Sequence, residues 1–354
     1  MKLIINATNR LESVLVGTDS FIFTNNRIST FNDEMSFSYP IVTGLNCSIK
    51  AADTMKVIDK MKGEEISFKQ KDNVVTINDG NTKLKMRTLD GDEEIRSRLE
   101  SMELESAEWQ DLPSDFMEGI RLCYYSAAQD TSIPELSSIM FDDDCLWASD
   151  NVRVSRYALS NPISAQLALP LSSIKMLMRL SEKPIKFTSA SEWAHFETES
   201  GVIFSTAPLD KQYRQFPLDR IKNKLYNDFG PNTEEKEDKF KKLYEWPSSL
   251  SENIDAVGVM ATAHEDLVVP NIKILRKGDY LILKGKKNYG KAKSRIKIEG
   301  EMFDEGIVIR IAPDFLKNIT SLTRNFSIYE EGVIKFETEK FWHIMSILLE
   351  YEED

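Results

Sequence analysis

The chain has 354 residues, of which 41% are hydrophobic and 29% are charged. This composition is typical of a folded globular protein and excludes a wholly disordered chain. The 45 basic and 57 acidic residues give a formal net charge of −12, which taken alone argues against a nucleic-acid-binding protein.

The N-terminal segment carries no secretory h-region, and no apolar run approaches the roughly 18 residues of a membrane span. We therefore expect a cytoplasmic protein that has no membrane partner. The chain has three widely spaced cysteines, Cys47, Cys123 and Cys145. They form no CxxC motif and no disulfide framework, which fits a reducing compartment.

No pattern of catalytic or metal-binding residues stands out. The three histidines, His195, His264 and His343, are not spaced with a second ligand as a metal site requires. GxGxxG, GxxxxGK[ST] and GxSxG motifs are all missing from the sequence. We therefore predict a protein that is not an enzyme and needs no cofactor, with no catalytic residues and no metal.

An acidic cluster, Asp142 to Asp144, lies between two apolar runs. Carboxylate oxygens can hold a divalent cation, so a metal enzyme built on this cluster is one hypothesis. Turn residues between two apolar alternating runs are also typical of a β-hairpin. We favour the solvated hairpin tip.

Three stretches, residues 45–89, 167–209 and 307–348, share one order of elements: an apolar strand, a helix of about four turns, and two strands. A fainter upstream half, a helix followed by two or three strands, precedes each of them. The upstream helices are predicted at residues 8–16, 114–128 and 248–263, and the first of these is short. Each repeat is thus helix, strands, helix, strands.

Two highly charged segments, residues 90–112 and 220–246, separate the repeats. Their composition is typical of surface connectors. The sequence therefore predicts an α+β protein of three tandem domains at residues 1–108, 109–222 and 246–354. Residues 223–245 form a charged connector between the last two.

The threefold repeat, together with LWASDNVRVSRY, VIFSTAPLDKQYRQFP and the C-terminal FWHIMSIL, resembles the sliding clamp family, which comprises the bacterial DNA polymerase III beta subunit and phage-encoded relatives. The resemblance implies three clamp-like domains, each with two helices packed on antiparallel sheets, in a head-to-tail homodimeric ring. It implies a DNA polymerase processivity factor that encircles double-stranded DNA without reading its sequence. The implied partners are a DNA polymerase, a clamp loader and a second copy, in the cytoplasm, or in the host cytoplasm if the protein is phage-encoded.

The second helix of each repeat is net basic, as a helix facing phosphates should be. A solvated helix face is the alternative for each set. The candidate DNA-facing residues, including one from a first helix, are Lys50, Lys56, Lys60, Lys62, Arg121, Lys175, Arg179, Lys183, Lys317 and Arg324.

A separate basic stripe, Lys291, Lys293, Arg295 and Lys297, falls on one face of a strand at period two. In a clamp this face should point away from DNA, as a solvated face or as an edge protected by lysines. A polymerase or loader contact is the alternative. In a nucleic-acid module that forms no ring, the stripe is the best binding surface.

The resemblance also implies an apolar groove that binds partner peptides, with Arg153 as a polar rim; simple packing of a domain junction is the alternative. Carried over by position, the groove residues are Leu136, Ser149, Asn151, Val152, Arg153, Val154, Pro217, Ile221, Ile344, Met345, Ser346 and Ile347. This chain has Asn-Val where the family has Gly-His and Met-Ser-Ile where the family ends in Met-Pro-Met. We therefore expect a different peptide specificity.

For the dimer interface, the resemblance pairs Leu84 and Met86 of the first repeat with Leu267 and Val268 of the third. The acidic balance and the short first helix favour a different hypothesis, a monomeric clamp-like protein-interaction scaffold without ring closure.

Overall fold

The computed structural model describes residues 20–24, 26–63, 66–90, 93–101, 104, 107–210, 242–264, 267–329 and 332–351. The helix predicted at residues 8–16, the groove residues Pro217 and Ile221, and residues 223–241 of the charged connector lie outside the described residues.

The described residues form six helices and 25 strands, and the strand pairs are antiparallel. The predicted α+β class is confirmed. The helices are α1 (Ala51–Ile58), α2 (Glu93–Ser101), α3 (Phe116–Tyr124), α4 (Leu171–Arg179), α5 (Leu250–Gly258) and α6 (Pro313–Thr320). The strands are β1 (Ser20–Thr24), β2 (Arg27–Phe31), β3 (Met35–Pro40), β4 (Cys47–Lys50), β5 (Ser67–Lys71), β6 (Val74–Asn78), β7 (Lys83–Arg87), β8 (Gln110–Asp111), β9 (Ser138–Asp142), β10 (Cys145–Ser149), β11 (Arg153–Ala158), β12 (Gln166–Pro170), β13 (Pro184–Ala190), β14 (Trp193–Thr198), β15 (Ile203–Thr206), β16 (Tyr244–Glu245), β17 (Thr262–His264), β18 (Leu267–Lys277), β19 (Tyr280–Lys287), β20 (Gly290–Lys297), β21 (Ile307–Ile311), β22 (Asn325–Tyr329), β23 (Val333–Glu337), β24 (Phe341–Ser346) and β25 (Leu348–Tyr351).

The chain divides into two compact units, one within Met1–Met117 and Ser160–Asp210, the other within Glu118–Leu159 and Lys211–Asp354. In the first unit, one sheet runs in the order β4-β1-β2-β3-β15-β14-β13-β8, and a smaller sheet has the order β5-β6-β7. The pairing of β3 with β15 joins the upstream strands of the first repeat to the downstream strands of the second.

The second unit repeats this arrangement. Its strands β9-β10-β11-β24-β23-β22-β16 lie in one sheet, in which β11 pairs with β24 and so joins the second repeat to the third. The upstream strands β18, β19 and β20 of the third repeat lie with β21 and β25 in another sheet, in the order β20-β19-β18-β21-β25, to which β17 is added through β18.

The second helices of the repeats are shorter than predicted: α1, α4 and α6 have eight or nine residues, about two and a half turns rather than four. The segment that follows α1 is held by Asp79. One carboxylate oxygen of Asp79 accepts the N–H groups of Lys62 and Gly63, both at 2.9 Å. A Cβ on Gly63 would lie 2.3 Å from the Asp79 carbonyl oxygen, so glycine is required where the chain leaves the helix. Hydrogen bonds from the backbone of Gly63 and Thr82 lower the pKa of Asp79 to about 2.

Candidate nucleic-acid interface

The candidate DNA-facing cations of the first repeat lie at both ends of α1. Lys50 is the exposed last residue of β4 directly before the helix, Lys56 lies on it, and Lys60 and Lys62 follow it. Lys56 forms an exposed ion pair with Asp53, with Nζ 3.6 Å from Oδ1. The other three are exposed and have no described carboxylate within ion-pair distance.

The second repeat is similar. Lys175 is half-buried on α4, Arg179 is exposed in its last turn, and Lys183 is exposed just beyond its end. Neither Arg179 nor Lys183 has an ion-pair partner among the described residues. Arg121 is exposed on α3. The first two repeats therefore offer solvent-facing positive charge at or near their helices.

The third repeat differs, because its candidate cations are held by carboxylates. Lys317 on α6 places Nζ 2.6 Å from Oδ1 of Asp255 on α5, and Arg324 pairs with Glu245. Both pairs are partly exposed, so each stabilises the fold by about 1 kcal/mol at most and can be exchanged for a phosphate contact. Charge counting along one helix misses this neutralisation because the partners are distant in sequence.

The candidate groove residues come from two strands that the structure pairs. Val154 on β11 lies opposite Ile344 on β24. Beyond the last pair, the Ser346 N–H donates a hydrogen bond of 2.8 Å to the Val152 carbonyl. The sequence-predicted segments around these residues are therefore adjacent in space.

Burial divides the groove residues into two groups. The buried ones are Ser149, Arg153, Val154, Ile344, Met345 and Ile347. Leu136 and Val152 are half-buried, while Asn151 and Ser346 are exposed. Most of the apolar candidates thus belong to the core of the second unit, and the accessible surface is a short strip around the start of β11.

Arg153, predicted as a polar rim, is instead a buried residue with 8% exposure. Its Nε lies 2.9 Å from Oδ2 of Asp150, and its guanidinium carbon lies 3.5 Å from the ring centroid of Phe315. The other Asp150 oxygen accepts the N–H groups of Val152 and Arg153. This side chain therefore holds the β10–β11 turn against α6, because leaving a buried guanidinium unpaired is costly.

Two of the histidines are buried polar residues of strands. His343 Nδ1 lies 2.8 Å from the Ser155 hydroxyl, and His195 Nδ1 lies 2.8 Å from the Ser205 hydroxyl. Burial, reinforced by the charge of Arg153, lowers the pKa of His343 to about 3. Burial lowers the pKa of His195 to about 4. The side chain of His264 lies outside the described residues.

These pKa values predict acid sensitivity. Both imidazoles titrate near 6.5 in the unfolded chain, so below that pH the unfolded state binds more protons than the folded state. We expect the free energy of unfolding to fall continuously as the pH is lowered from about 6.5 to about 4, measured by urea denaturation across that range. His195→Gln should reduce the slope of stability against pH. An unchanged slope would contradict the assignment.

The predicted interface residues lie on strands of two sheets. Leu84 and Met86 are half-buried on β7, which is an edge strand of the sheet β5-β6-β7. The sulfur of Met86 is 3.1 Å from the Thr54 hydroxyl of α1, so this side of β7 faces the helix. Leu267 and Val268 begin β18, where Leu267 pairs with His264 of β17; their side chains lie outside the described residues.

The acidic cluster forms the predicted hairpin tip. Cys145 pairs with Asp142, and Asp143 and Asp144 form the two-residue turn, with Asp143 at a φ of 52°. Within the part of the chain that the structure describes, no group of three or more His, Cys, Asp or Glu side chains is placed to hold a metal ion. The three cysteines are buried and free. None of the described helices is long and apolar enough to cross a membrane.

The structure is similar to solved DNA polymerase III beta clamps over nearly its whole length. The beta chain of Streptococcus pneumoniae gives a TM-score of 0.74 at 16% identity, covering 98% of this chain and 97% of that chain. The Helicobacter pylori beta clamp bound to a DNA ligase peptide gives 0.74 at 15% identity with the same coverage. The beta subunit of Thermotoga maritima gives 0.67 at 16% identity over 94% of this chain and 90% of that chain. No family model matches the sequence, and no curated protein matches it significantly. At these identities the likeness establishes the fold, and it is the fold that the resemblance implied.

Proposed function

We propose that this chain is a sliding clamp: a processivity factor that forms a head-to-tail homodimeric ring, encircles duplex DNA and tethers a DNA polymerase. The proposal includes three domains at residues 1–108, 109–222 and 246–354, and no catalytic activity. The beta-clamp fold supports it. The observation that carries it is the way in which the sheets combine strands of successive repeats.

Two sheets combine strands of successive repeats. In each, the last upstream strand of one repeat pairs with the third strand after the second helix of the next repeat, as β3 with β15 and β11 with β24. Among the described strands, two half-sheets remain without such a partner: β20-β19-β18-β21-β25 ends at β20, and β5-β6-β7 ends at β7. By the same rule β20 should pair with β7. The two strands belong to different repeats at the two ends of the chain, so a second copy can satisfy both edges.

A joint between β20 of one copy and β7 of the other is heterologous, and two such joints close a ring of six repeats. The rule supports the predicted role of Leu84 and Met86, since both lie on β7. It favours β20 as the facing strand over the segment of Leu267 and Val268. An open strand edge is also a liability that proteins normally cover.

In such a ring the helices face the DNA, and the exposed cations near α1 and α4 supply attraction to phosphates that does not depend on sequence. Tethering then raises the effective concentration of the polymerase at the primer end without any chemistry by the clamp itself. The net charge of −12 is compatible with this function, because only the inner surface needs to be attractive.

The H. pylori clamp was solved with a DNA ligase peptide. We propose that this chain also binds short peptides of its polymerase and clamp loader, at the accessible strip formed by Leu136, Asn151, Val152 and Ser346. The strip is shallow because its apolar neighbours are buried in the core. We therefore expect the peptide anchor to be small or to displace Leu136.

Retention on circular DNA tests the ring. After incubation with nicked circular DNA, the protein should co-elute with the DNA in gel filtration and should be released when the circle is linearised. Equal retention on both forms would reject encirclement. Light scattering should give the mass of a dimer.

The helix cations predict how retention depends on charge. The double variant Lys60→Gln and Lys183→Gln should shorten the half-life on the nicked circle by about tenfold at moderate salt, because two phosphate contacts are lost. The matched variant Lys317→Gln and Arg324→Gln should have a smaller effect, because carboxylates already neutralise those cations. An equal loss in both would show that the ion pairs open on DNA.

One observation favours the alternative function, a monomeric protein-interaction scaffold. The outward faces of both free edges are basic, with Lys83, Lys85 and Arg87 on β7 and the stripe of Lys291, Lys293, Arg295 and Lys297 on β20. Pairing the strands brings like charges together, which opposes closure. If the dimer forms, added salt should tighten it by screening this repulsion. A monomer at both low and high salt would favour the scaffold.

A further inference from the structure

The sheet β20-β19-β18-β21-β25 has one face that none of the described helices covers, and we call it the basic face. On the opposite face the sheet packs against α5, where a Cβ on Gly285 would lie 2.6 Å from the Val257 carbonyl oxygen. Strand pairing places nine cations on the basic face: Lys273, Lys277, Lys284, Lys286, Lys291, Lys293, Arg295, Lys297 and Arg310. The only carboxylate that the described strands place among them is Glu350.

The cations of the basic face are directly opposite one another. Lys284 is paired with Lys273 on one side and with Lys293 on the other, and Lys273 is also paired with Arg310. A single row of four cations therefore crosses four strands about 4.8 Å apart. Like charges in directly opposite positions destabilise a sheet. Because the row costs stability, its presence favours a function for these charges over simple solvation.

Neutralisation within the chain is incomplete. Glu350 accepts a hydrogen bond of 2.9 Å from Lys273 and also pairs with Arg310. Lys284 and Lys293, at the other end of the row, have no ion-pair partner among the described residues. The same holds for the next cross-strand pair, Lys286 and Lys291.

These side chains line a cavity of about 530 Å³. Its lining includes six cations: Lys273, Lys284, Lys286, Lys291, Lys293 and Arg310. A concave site with six cations has the electrostatic character of an anion-binding site. The volume accommodates more than a single small ion.

An exposed aromatic ring lies in the turn that follows the cross-strand pair Lys286 and Lys291. Tyr289, in the turn between β19 and β20, is 80% exposed, and the Lys287 ammonium lies 6.0 Å from its ring centroid. Cations that follow a groove together with an exposed aromatic ring are the features by which proteins bind single-stranded nucleic acid: phosphates contact the cations and a base stacks on the ring. Along β20 the cations recur every second residue, about 6.8 Å apart, a spacing similar to that of phosphates in an extended strand.

An acidic peptide fits the basic face less well. Partner peptides gain most of their affinity from apolar anchors in pockets. Leu275, Ile282 and Val308 on this face are already buried with 5% exposure or less and packed with Tyr280, and Leu348, opposite Arg310, is half-buried. The face therefore offers charge but no exposed apolar pocket, and the exposed ring of Tyr289 lies in the adjoining turn.

We propose that the basic face binds single-stranded DNA through its phosphate backbone, with Lys284, Lys286, Lys291 and Lys293 as the main contacts and Tyr289 as a stacking surface for a base. This site is separate from the helices that face duplex DNA in the proposed ring. It lies within one compact unit and needs no ring closure, so it stands whether or not the dimer forms.

Fluorescence anisotropy with a short labelled oligothymidylate at low salt tests the proposal. A linear oligonucleotide needs no ring, so the result is independent of the circular-DNA experiment. Lys284→Glu with Lys293→Glu should weaken binding at least tenfold, and the matched charge reversal Lys69→Glu with Lys71→Glu, on exposed positions of β5, should not. Tyr289→Ala should weaken binding about fivefold or more, whereas Tyr289→Phe should retain it. Melting temperatures of all variants control for folding.

Three results would overturn the proposal: no binding of the oligonucleotide by the unaltered protein, an equal loss in the β5 control, or equal binding by Tyr289→Ala. Polyglutamate at the same charge concentration serves as a competitor. If it displaces the oligonucleotide as well as unlabelled oligothymidylate does, the face is a site for acidic polypeptides and the assignment to single-stranded DNA is wrong.

Discussion

Replacing Leu84 with aspartate is expected to convert the proposed dimer into a monomer and to abolish retention on nicked circular DNA. Leu84 lies on β7 opposite Ile77 of β6, on the side that faces α1, and it is half-buried in the single chain. Pairing of β20 along this edge would bury it further. An unpaired carboxylate in that position costs several kcal/mol, so the dissociation constant should rise by at least about 100-fold, equivalent to about 2.7 kcal/mol. Sedimentation velocity over a concentration series measures it.

The neighbouring substitution Lys85→Asp is the matched control. It introduces the same carboxylate one residue along β7, where the side chain is exposed on the outward face beside Lys83 and Arg87. There it relieves the repulsion between the two basic edges, so the dimer should persist or tighten. If Leu84→Asp leaves the dimer intact, β7 is not the joint. If both variants are monomeric, the dimer is lost because any carboxylate on β7 disturbs the strand, and not because the charge lies on its buried face.

The local elements were predictable from the sequence because they depend on short-range patterns. The turn at Asp143 and Asp144 follows from two polar residues between apolar alternating runs, and the structure confirms the hairpin. Strand registers across repeats depend on contacts between residues far apart in the chain. The pairing of β3 with β15, which carries the argument for a ring, joins residues more than 160 positions apart, and the residue pattern alone does not specify it.

The sequence shows which residues are charged, but it does not show which charges lie next to them in the fold. The sequence shows Lys317 and Arg324 near a helix, but not that Asp255 and Glu245 neutralise them. It shows the stripe on β20 but not the opposing cations on β18 and β19, because the row exists only once the register is known. Arg153 illustrates the same limit: a charged residue in an apolar groove was expected at the rim, yet a local carboxylate allows it to be buried.

The pair of Asp150 and Arg153 leads to the prediction with the largest expected effect on stability. Asp150→Ala should lower the free energy of unfolding by about 3–5 kcal/mol, because it leaves the Arg153 guanidinium buried without its counter-charge. It also removes the acceptor for two backbone N–H groups in the β10–β11 turn. Burial lowers the pKa of Arg153, and the carboxylate of Asp150 opposes that shift. Urea denaturation measures the loss.

Two further substitutions separate the causes. Asp150→Asn keeps an oxygen for the turn while removing the charge, so it should cost less than Asp150→Ala, and the difference reports the contribution of the turn bonds. Asp143→Asn at the neighbouring hairpin tip is exposed and tolerates the positive φ, so it should change stability by less than about 0.5 kcal/mol. If Asp150→Ala proves as mild as Asp143→Asn, Arg153 can reach solvent and belongs to the rim of the groove. In that case the contact between Arg153 and Phe315 does not hold the β10–β11 turn, and with it the accessible strip, against α6.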